Sequence, residues 1–106
     1  MLDIWINCPD DETARRIGRA LVERRLAACA NVFPRIWSTY PWQGAIEVEE
    51  ESPLLVKTRD DLFDPLCDAV RELHPYDVPS IVGLPVARVN PEYAAWVEAE
   101  TGAAPA

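Results

Sequence analysis

Apolar positions along the chain follow two rhythms, one of period two and one near 3.6. Leu2 to Cys8 reads as a strand, with Ile4 and Ile6 on one side and Trp5 on the other. An apolar run on both faces suits a central strand. Pro9 stops it. Asp10 or Asp11 then caps a helix, with Asp11 and Glu12 at its positive end. Ala14, Ile17, Leu21 and Ala28 form its stripe, and Gly18 lies on the same side. Arg15, Arg16, Arg19, Glu23 and Arg24 stay mostly off it. The helix frays over 25–27. Cys29 to Tyr40 reads as a second strand, interrupted by Pro34, which places an edge or a bulge there. Pro41-Trp42-Gln43-Gly44 is a turn, with Gly44 free to take a positive φ. Ala45 to Thr58 returns as a third strand, in which Pro53 predicts a bulge or a break. The pair is a long hairpin with one proline kink in each arm.

A second helix starts at Asp60 or Asp61, or slips to Asp64, because Pro65 fits only a first turn. Leu62, Leu66, Val70 or Ala69, and Leu73 form its stripe, and it ends near His74 because Pro75 follows. Ser80 to Ala87 is a fourth strand, with Pro85 at an edge or strand end. Asn90-Pro91-Glu92 opens a last helix, whose Tyr93, Trp96 and Val97 share a face. Gly102 ends it, and 103–106 form a loose tail. The order β-α-β-β-α-β-α predicts an α+β, ferredoxin-like βαββαβ domain over residues 1–106 with an extra C-terminal helix. Its sheet is antiparallel, with two helices on one face.

The 106 residues allow one thin core, and surface scaling gives about 6,000 Å² for a folded chain of this mass. Four tryptophans are many for that core. The net charge of −8 repels phosphates and anionic headgroups, which argues against nucleic acid and membrane partners. No stretch approaches a membrane span, and the N-terminus lacks the basic region of a signal peptide. Three cysteines, with no CxxC spacing, argue against a disulfide framework and fit a reducing cytoplasm.

Seven strings are more specific than the topology. They are Cys8-Pro9-Asp10-Asp11-Glu12-Thr13-Ala14, Arg25-Leu26-Ala27-Ala28-Cys29-Ala30-Asn31 and Tyr40-Pro41-Trp42-Gln43-Gly44. Then come Leu55-Val56-Lys57-Thr58-Arg59, His74-Pro75-Tyr76-Asp77-Val78-Pro79, Leu84-Pro85-Val86 and Tyr93-x-x-Trp96. In this order and spacing, from about Asp3 to Thr101, the chain closely resembles the CutA family of divalent-cation tolerance proteins. The resemblance implies a small, non-enzymatic cytoplasmic protein related in architecture to PII signalling proteins. It implies a PII-like homotrimer in which the hairpin and the C-terminal helix bind neighbours. It also implies a link to tolerance of copper and other divalent cations, with no obligatory cofactor and any metal weakly bound.

Composition supports that assembly separately. Phe33, Trp37, Tyr40 and Trp42 cannot all enter so thin a core, and exposed aromatics on a hairpin mark an interface. Phe33 and Trp37 are therefore expected trimer contacts, and the resemblance adds Trp96 on the C-terminal helix.

His74, the only histidine, reads either as a cap at a helix end or as a metal ligand, since imidazole suits Cu, Zn and Ni. Cys8, near a helix start, is expected to be more acidic than an ordinary thiol and to favour Cu(I), or else to pack as a small hydrophobe. Some family members carry a cysteine with a double histidine. Here Leu73 precedes His74, and Ile6 stands at the comparable thiol position, so a tight preformed copper site is not expected. Cys29 and Cys67 read as packing residues.

Glu47, Glu49 and Glu51 share one side of their strand and are expected to pair with Arg35 or face solvent. The resemblance places Tyr40, Trp42, Glu49, Lys57, Thr58 and Tyr76 along clefts between subunits, where aromatic walls, a lysine and a hydroxyl could hold a small ligand. A PII-like signalling module is the alternative function. An acylphosphatase-like enzyme is disfavoured, because the acidic loop after the first strand repels phosphate.

Overall fold

One long strand organises the structure. The computed structural model describes residues 1–103, so positions 104–106 of the expected tail lie outside the described residues, and Ala103 is a bend. The elements are β1 (Leu2–Cys8), α1 (Asp11–Glu23), β2 (Cys29–Val32), β3 (Ile36–Trp42), β4 (Ala45–Thr58), α2 (Phe63–Leu73), β5 (Ile81–Pro85) and α3 (Pro91–Glu100). A single 3₁₀ turn, Asp60–Leu62, leads into α2. The sheet order is β2-β4-β1-β5, with β3 also paired to β4, and every pairing is antiparallel. This is the predicted ferredoxin-like α+β arrangement.

Asp10 caps α1, its carboxylate accepting from Thr13 N–H at 2.7 Å. Ala14, Ile17, Gly18 and Leu21 form the buried face. A Cβ on Gly18 would lie 2.9 Å from Ala30 Cβ and 3.0 Å from Leu54 Cδ1. The missing side chain is what lets α1 settle onto β2 and β4. Ile4, Ile6 and Cys8 face the same core with Leu54, Val56, Leu66 and Val70. Trp5 takes the opposite face, edge-on to Phe33 at 5.2 Å.

Four expectations are corrected. Ala28 lies beyond α1, where its N–H donates to Lys57 O at 2.8 Å. The helix does not fray over 25–27. Leu26 N–H bonds Leu21 O and Arg25 N–H bonds Val22 O, a Schellman closure with Arg25 at φ 58° where glycine is usual. Arg25 is held there by its own side chain, which donates to Ala99 O at 2.7 Å and Gly102 O at 3.0 Å.

The second strand is interrupted around Pro34, as expected, but by a division at 33–35 into β2 and β3 rather than by an edge or a bulge within one strand. Pro53, by contrast, neither breaks nor bulges β4, because the register with β1 runs unshifted from Leu2↔Thr58 to Cys8↔Ser52. Pro53 O accepts from Phe33 N–H at 2.9 Å, so its N-side faces the gap between β2 and β3, where no ladder bond is due. Finally, the turn is tighter than expected. Pro41 and Trp42 belong to β3, and only Gln43 (φ 48°) and Gly44 (φ 82°) reverse the chain. Two successive positive φ angles match the twist of the arms they join.

The hairpin projects past the sheet. The molecule measures 51 × 27 × 21 Å. Its accessible surface of 6685 Å² exceeds the scaling value of about 6,000 Å² for this mass.

Candidate functional site

His74 closes α2 at its C-cap and is 6% exposed. Its Nε2 lies 2.8 Å from Asn7 O, and its Nδ1 accepts from Tyr76 N–H at 3.1 Å. A nitrogen that accepts from an amide carries no proton, so Nε2 holds it and donates to Asn7. Pairing with β5 stops at Ile6↔Ile81, so His74 satisfies the next carbonyl of β1, for which β5 supplies no residue. Both ring nitrogens are engaged, and neither offers a lone pair to a cation in this arrangement.

Cys8, one residue after Asn7, is buried. Burial foremost, then the charges of Asp10 and Glu51, push its thiol up to about 12. This reverses the expected acidification by the start of α1, because desolvation outweighs the helix end. Among the described residues no three His, Cys, Asp or Glu side chains gather in a way that could hold a metal ion. The residues present therefore do not make a preformed metal centre.

A different cluster forms where the hairpin leaves the sheet. Tyr76 O–H donates to Glu51 Oε2 at 3.1 Å, and the Tyr76 ring tilts against His74 at 4.7 Å. Burial, reinforced by the Glu51 charge, raises the Tyr76 phenol above its ordinary range. Glu49 lies beside Tyr40, whose phenol is also raised, by desolvation and then by Glu49. The register explains the grouping. Tyr40 opposes Glu47, Ser38 opposes Glu49 and Ile36 opposes Glu51, so they share one hairpin face. Trp42 is on that face near the tip. Trp37, opposite Glu50, is on the other face with Val48 and Ile46. Arg35 pairs with Glu50 at 2.8 Å, so the expected pairing with the 47/49/51 side is corrected.

Lys57 and Thr58 sit at the far end of β4. Lys57 binds Asp3 at 3.1 Å, and Thr58 Oγ1 donates to Leu26 O at 2.6 Å. Lys57 lies six positions along the strand from Glu51, about 20 Å at the usual rise per residue. Within one chain the expected cleft set is thus two groups. Among the expected interface residues, Phe33 is half-buried under Trp5, Trp37 is 71% exposed, and Trp96 is 43% exposed beside Tyr93.

The description "CutA1 divalent ion tolerance protein" belongs to a family whose model matches residues 2–100. The chain belongs to that family. It is 48% identical over 99 residues to the divalent-cation tolerance protein CutA of Thermus thermophilus, covering 93% of this chain and 96% of that one. It is 43% identical over 97 residues to Protein CutA of Mus musculus, covering 92% of this chain but 55% of the mouse protein. The chain thus spans nearly all of the bacterial relative and about half of the mammalian one. The crystal structure of CutA1 from Pyrococcus horikoshii, mutation D60A, superposes with a TM-score of 0.93 at 38% identity, over 97% of this chain and all of that one. No helix among the described residues is long and apolar enough to cross a membrane.

Several structurally important residues of this chain carry no motif that sequence reading could catch. Asn7 matters through its carbonyl, and its side chain also accepts from Trp5 Nε1–H at 2.8 Å. Glu51 stood among the acidic run, yet it is buried and tied to Tyr76. Strand alternation could have separated it from Glu50, but not from Glu47 or Glu49. Arg25 joins α1 to the end of α3, a contact between residues 74 and 77 positions apart.

Proposed function

We propose that the chain works as a single-domain, non-enzymatic homotrimer that binds divalent cations weakly at its surface, copper first among them, and contributes to metal tolerance in the cytoplasm. The observation that carries the assembly is one face of the hairpin. Trp37, Ile46 and Val48 lie there 71%, 69% and 56% exposed, a patch that favours a protein partner over water. Three chains of −8 each give −24 (three times −8), which concentrates cations without a tight centre. Exposed Glu47, Glu49 and Glu50 supply hard oxygen ligands. His74 joins them only by releasing Asn7 or Tyr76, and Cys8 only by losing a tightly held proton. The name of the Thermus relative supports the tolerance role, and three free cysteines suit a reducing compartment.

The cation test is calorimetry with Cu²⁺ on wild type, His74→Ala and the double variant Glu47→Gln/Glu49→Gln. The double variant is expected to bind several-fold more weakly, and His74→Ala to match wild type. An unchanged isotherm in the double variant overturns the carboxylate reading. A lost isotherm in a folded His74→Ala protein moves the site to the imidazole.

The PII-like reading rests on the two groups along β4. A neighbour's Lys57 end, set against the Tyr40–Glu49–Tyr76 end, would complete a cleft with aromatic, basic and acidic walls. A thermal-shift screen of nucleotides and small metabolites tests it, since a ligand of the native form raises the melting temperature. Silence across the screen counts against it.

A further inference from the structure

A second concavity lies between the start of α1 and the 33–35 link, with a volume of about 720 Å³. Ser52 lines it. That side chain is fully buried, and its Oγ is the one buried side-chain polar atom among the described residues without a hydrogen-bond partner. Its cross-strand neighbour is Cys8, which does not satisfy it. A buried hydroxyl left unpaired is costly. Ser52 Oγ is closed to solvent as it stands, and a rotation of the side chain toward the cavity would let a bound group satisfy it.

The charges around it decide what that group is attached to. The lining carries three carboxylates, Asp10, Asp11 and Glu50, and two guanidiniums, Arg15 and Arg35. Arg15 pairs with Asp11 at 3.3 Å and Arg35 with Glu50 at 2.8 Å. Both pairs are exposed, so both are weak and exchangeable. The first amides of α1 lie at this end, and the Asp10 carboxylate satisfies only that of Thr13. A simple anion would meet three carboxylates. A simple cation would meet two guanidiniums and the positive end of a helix. A molecule bearing both charges close together meets both kinds of partner, and Phe33 and Val32 offer an apolar wall.

We propose that this cavity binds a small zwitterion of the α-amino-acid class. Its carboxylate lies toward Arg15 and Arg35, its ammonium toward Glu50 and Asp10, and a hydrogen-bonding group reaches Ser52 Oγ. The cavity stands apart from the Tyr40–Glu51–Tyr76 cluster, though it shares Glu50 with the cation reading and borders the hairpin face that carries Trp37.

The test screens the full-length protein against the proteinogenic L-amino acids by melting temperature. Each binder is then titrated calorimetrically beside its N-acetyl and carboxamide derivatives, which remove one charge each. At least one amino acid is expected to bind, with each derivative at least tenfold weaker. Ser52→Ala is expected to weaken binding at least fivefold. Its melting temperature without ligand should equal or exceed wild type, because an unpaired hydroxyl is gone. Arg35→Glu, at an exposed position, gives the same loss of binding should Ser52→Ala fail to fold. No binder, derivatives that bind equally well, or variants that bind like wild type overturn the proposal. A crystal structure of the assembled protein with a neighbour's chain filling the cavity overturns it as well.

Discussion

β4 is one strand living in two environments. From Ala45 to Glu50 every residue is exposed, whereas from Glu51 to Leu54 every residue is buried. The second half is flanked by β1 and β2 and roofed by α1. The first half has only β3 beside it and nothing on either face. A two-stranded ribbon is marginal in water, so the arm is held by its continuity with the sheet and, in the proposed assembly, by neighbours. The same backbone element therefore carries folding at one end and recognition at the other. Substitutions along it should separate those roles.

The largest effect belongs to the sheet end. Leu54 is fully buried between β1, β2 and α1. Leu54→Ala should cost about 2–5 kcal/mol in urea unfolding through lost burial and a cavity. An effect near zero would show that the roofed half is no firmer than the arm. Gly18→Val attacks the same contact from the helix side. A Cβ there would lie 2.9 Å from Ala30 Cβ, which no rotamer change can move, and 3.0 Å from Leu54 Cδ1. Overpacking of this kind costs about 1–3 kcal/mol, so a neutral Gly18→Val would mean that α1 is not seated as described.

How far the sequence shows this division depends on the range of the interactions. Alternation and helical stripes report local burial, so β1, α1, α2 and their core faces were legible. Pro34 marked an interruption of the second strand, although the chain divides there rather than bulging. Pro53 was misread because its consequence depends on what lies alongside, a gap between two other strands. The curled end of α1 was misread because Arg25 takes the glycine position, bound to a helix some 75 residues later. His74 was legible as a helix terminus. Its partner is a carbonyl 67 residues away, and no local pattern announces that bond. The cleft set was expected between subunits, and within one chain the length of β4 holds its two groups apart.

Alkali provides a probe confined to the sheet end. Cys8 titrates near 9 when unfolded and at about 12 when folded. Between those values the unfolded chain has released a proton that the native chain keeps. Unfolding then releases a proton, and stability falls as pH rises. Below pH 9 both states are protonated and the contribution is constant. The slope tends toward about 1.4 kcal/mol per pH unit for one such group. Cys67 is also raised by burial, so Cys8→Ala should make the decline between pH 9 and 10 shallower without abolishing it. An identical decline in the variant would remove Cys8 from the buried set.

Changes at the arm should show the reverse behaviour. Trp37→Glu puts a charge into the centre of the exposed apolar face beside Val48. Sedimentation should fall from trimer to monomer, while the helical circular dichroism signal remains. A variant that sediments as wild type would mean that this face is not the contact.

Val48→Thr asks the same question with almost no change of shape. Val48 is on the exposed hairpin face, and a threonine there keeps the β-branched form that strands prefer. In dilute solution the hydroxyl meets water, and stability should stay within about 0.5 kcal/mol of wild type. Once the face is covered by a neighbour, that hydroxyl must lose its water without gaining a partner. The dependence of melting temperature on protein concentration should then shift toward higher concentration. Equal curves for Val48→Thr and wild type would place Val48 outside the contact. A large loss in dilute solution would mean that the arm contributes to the monomer's own core, and the contrast between the two halves of β4 would fail.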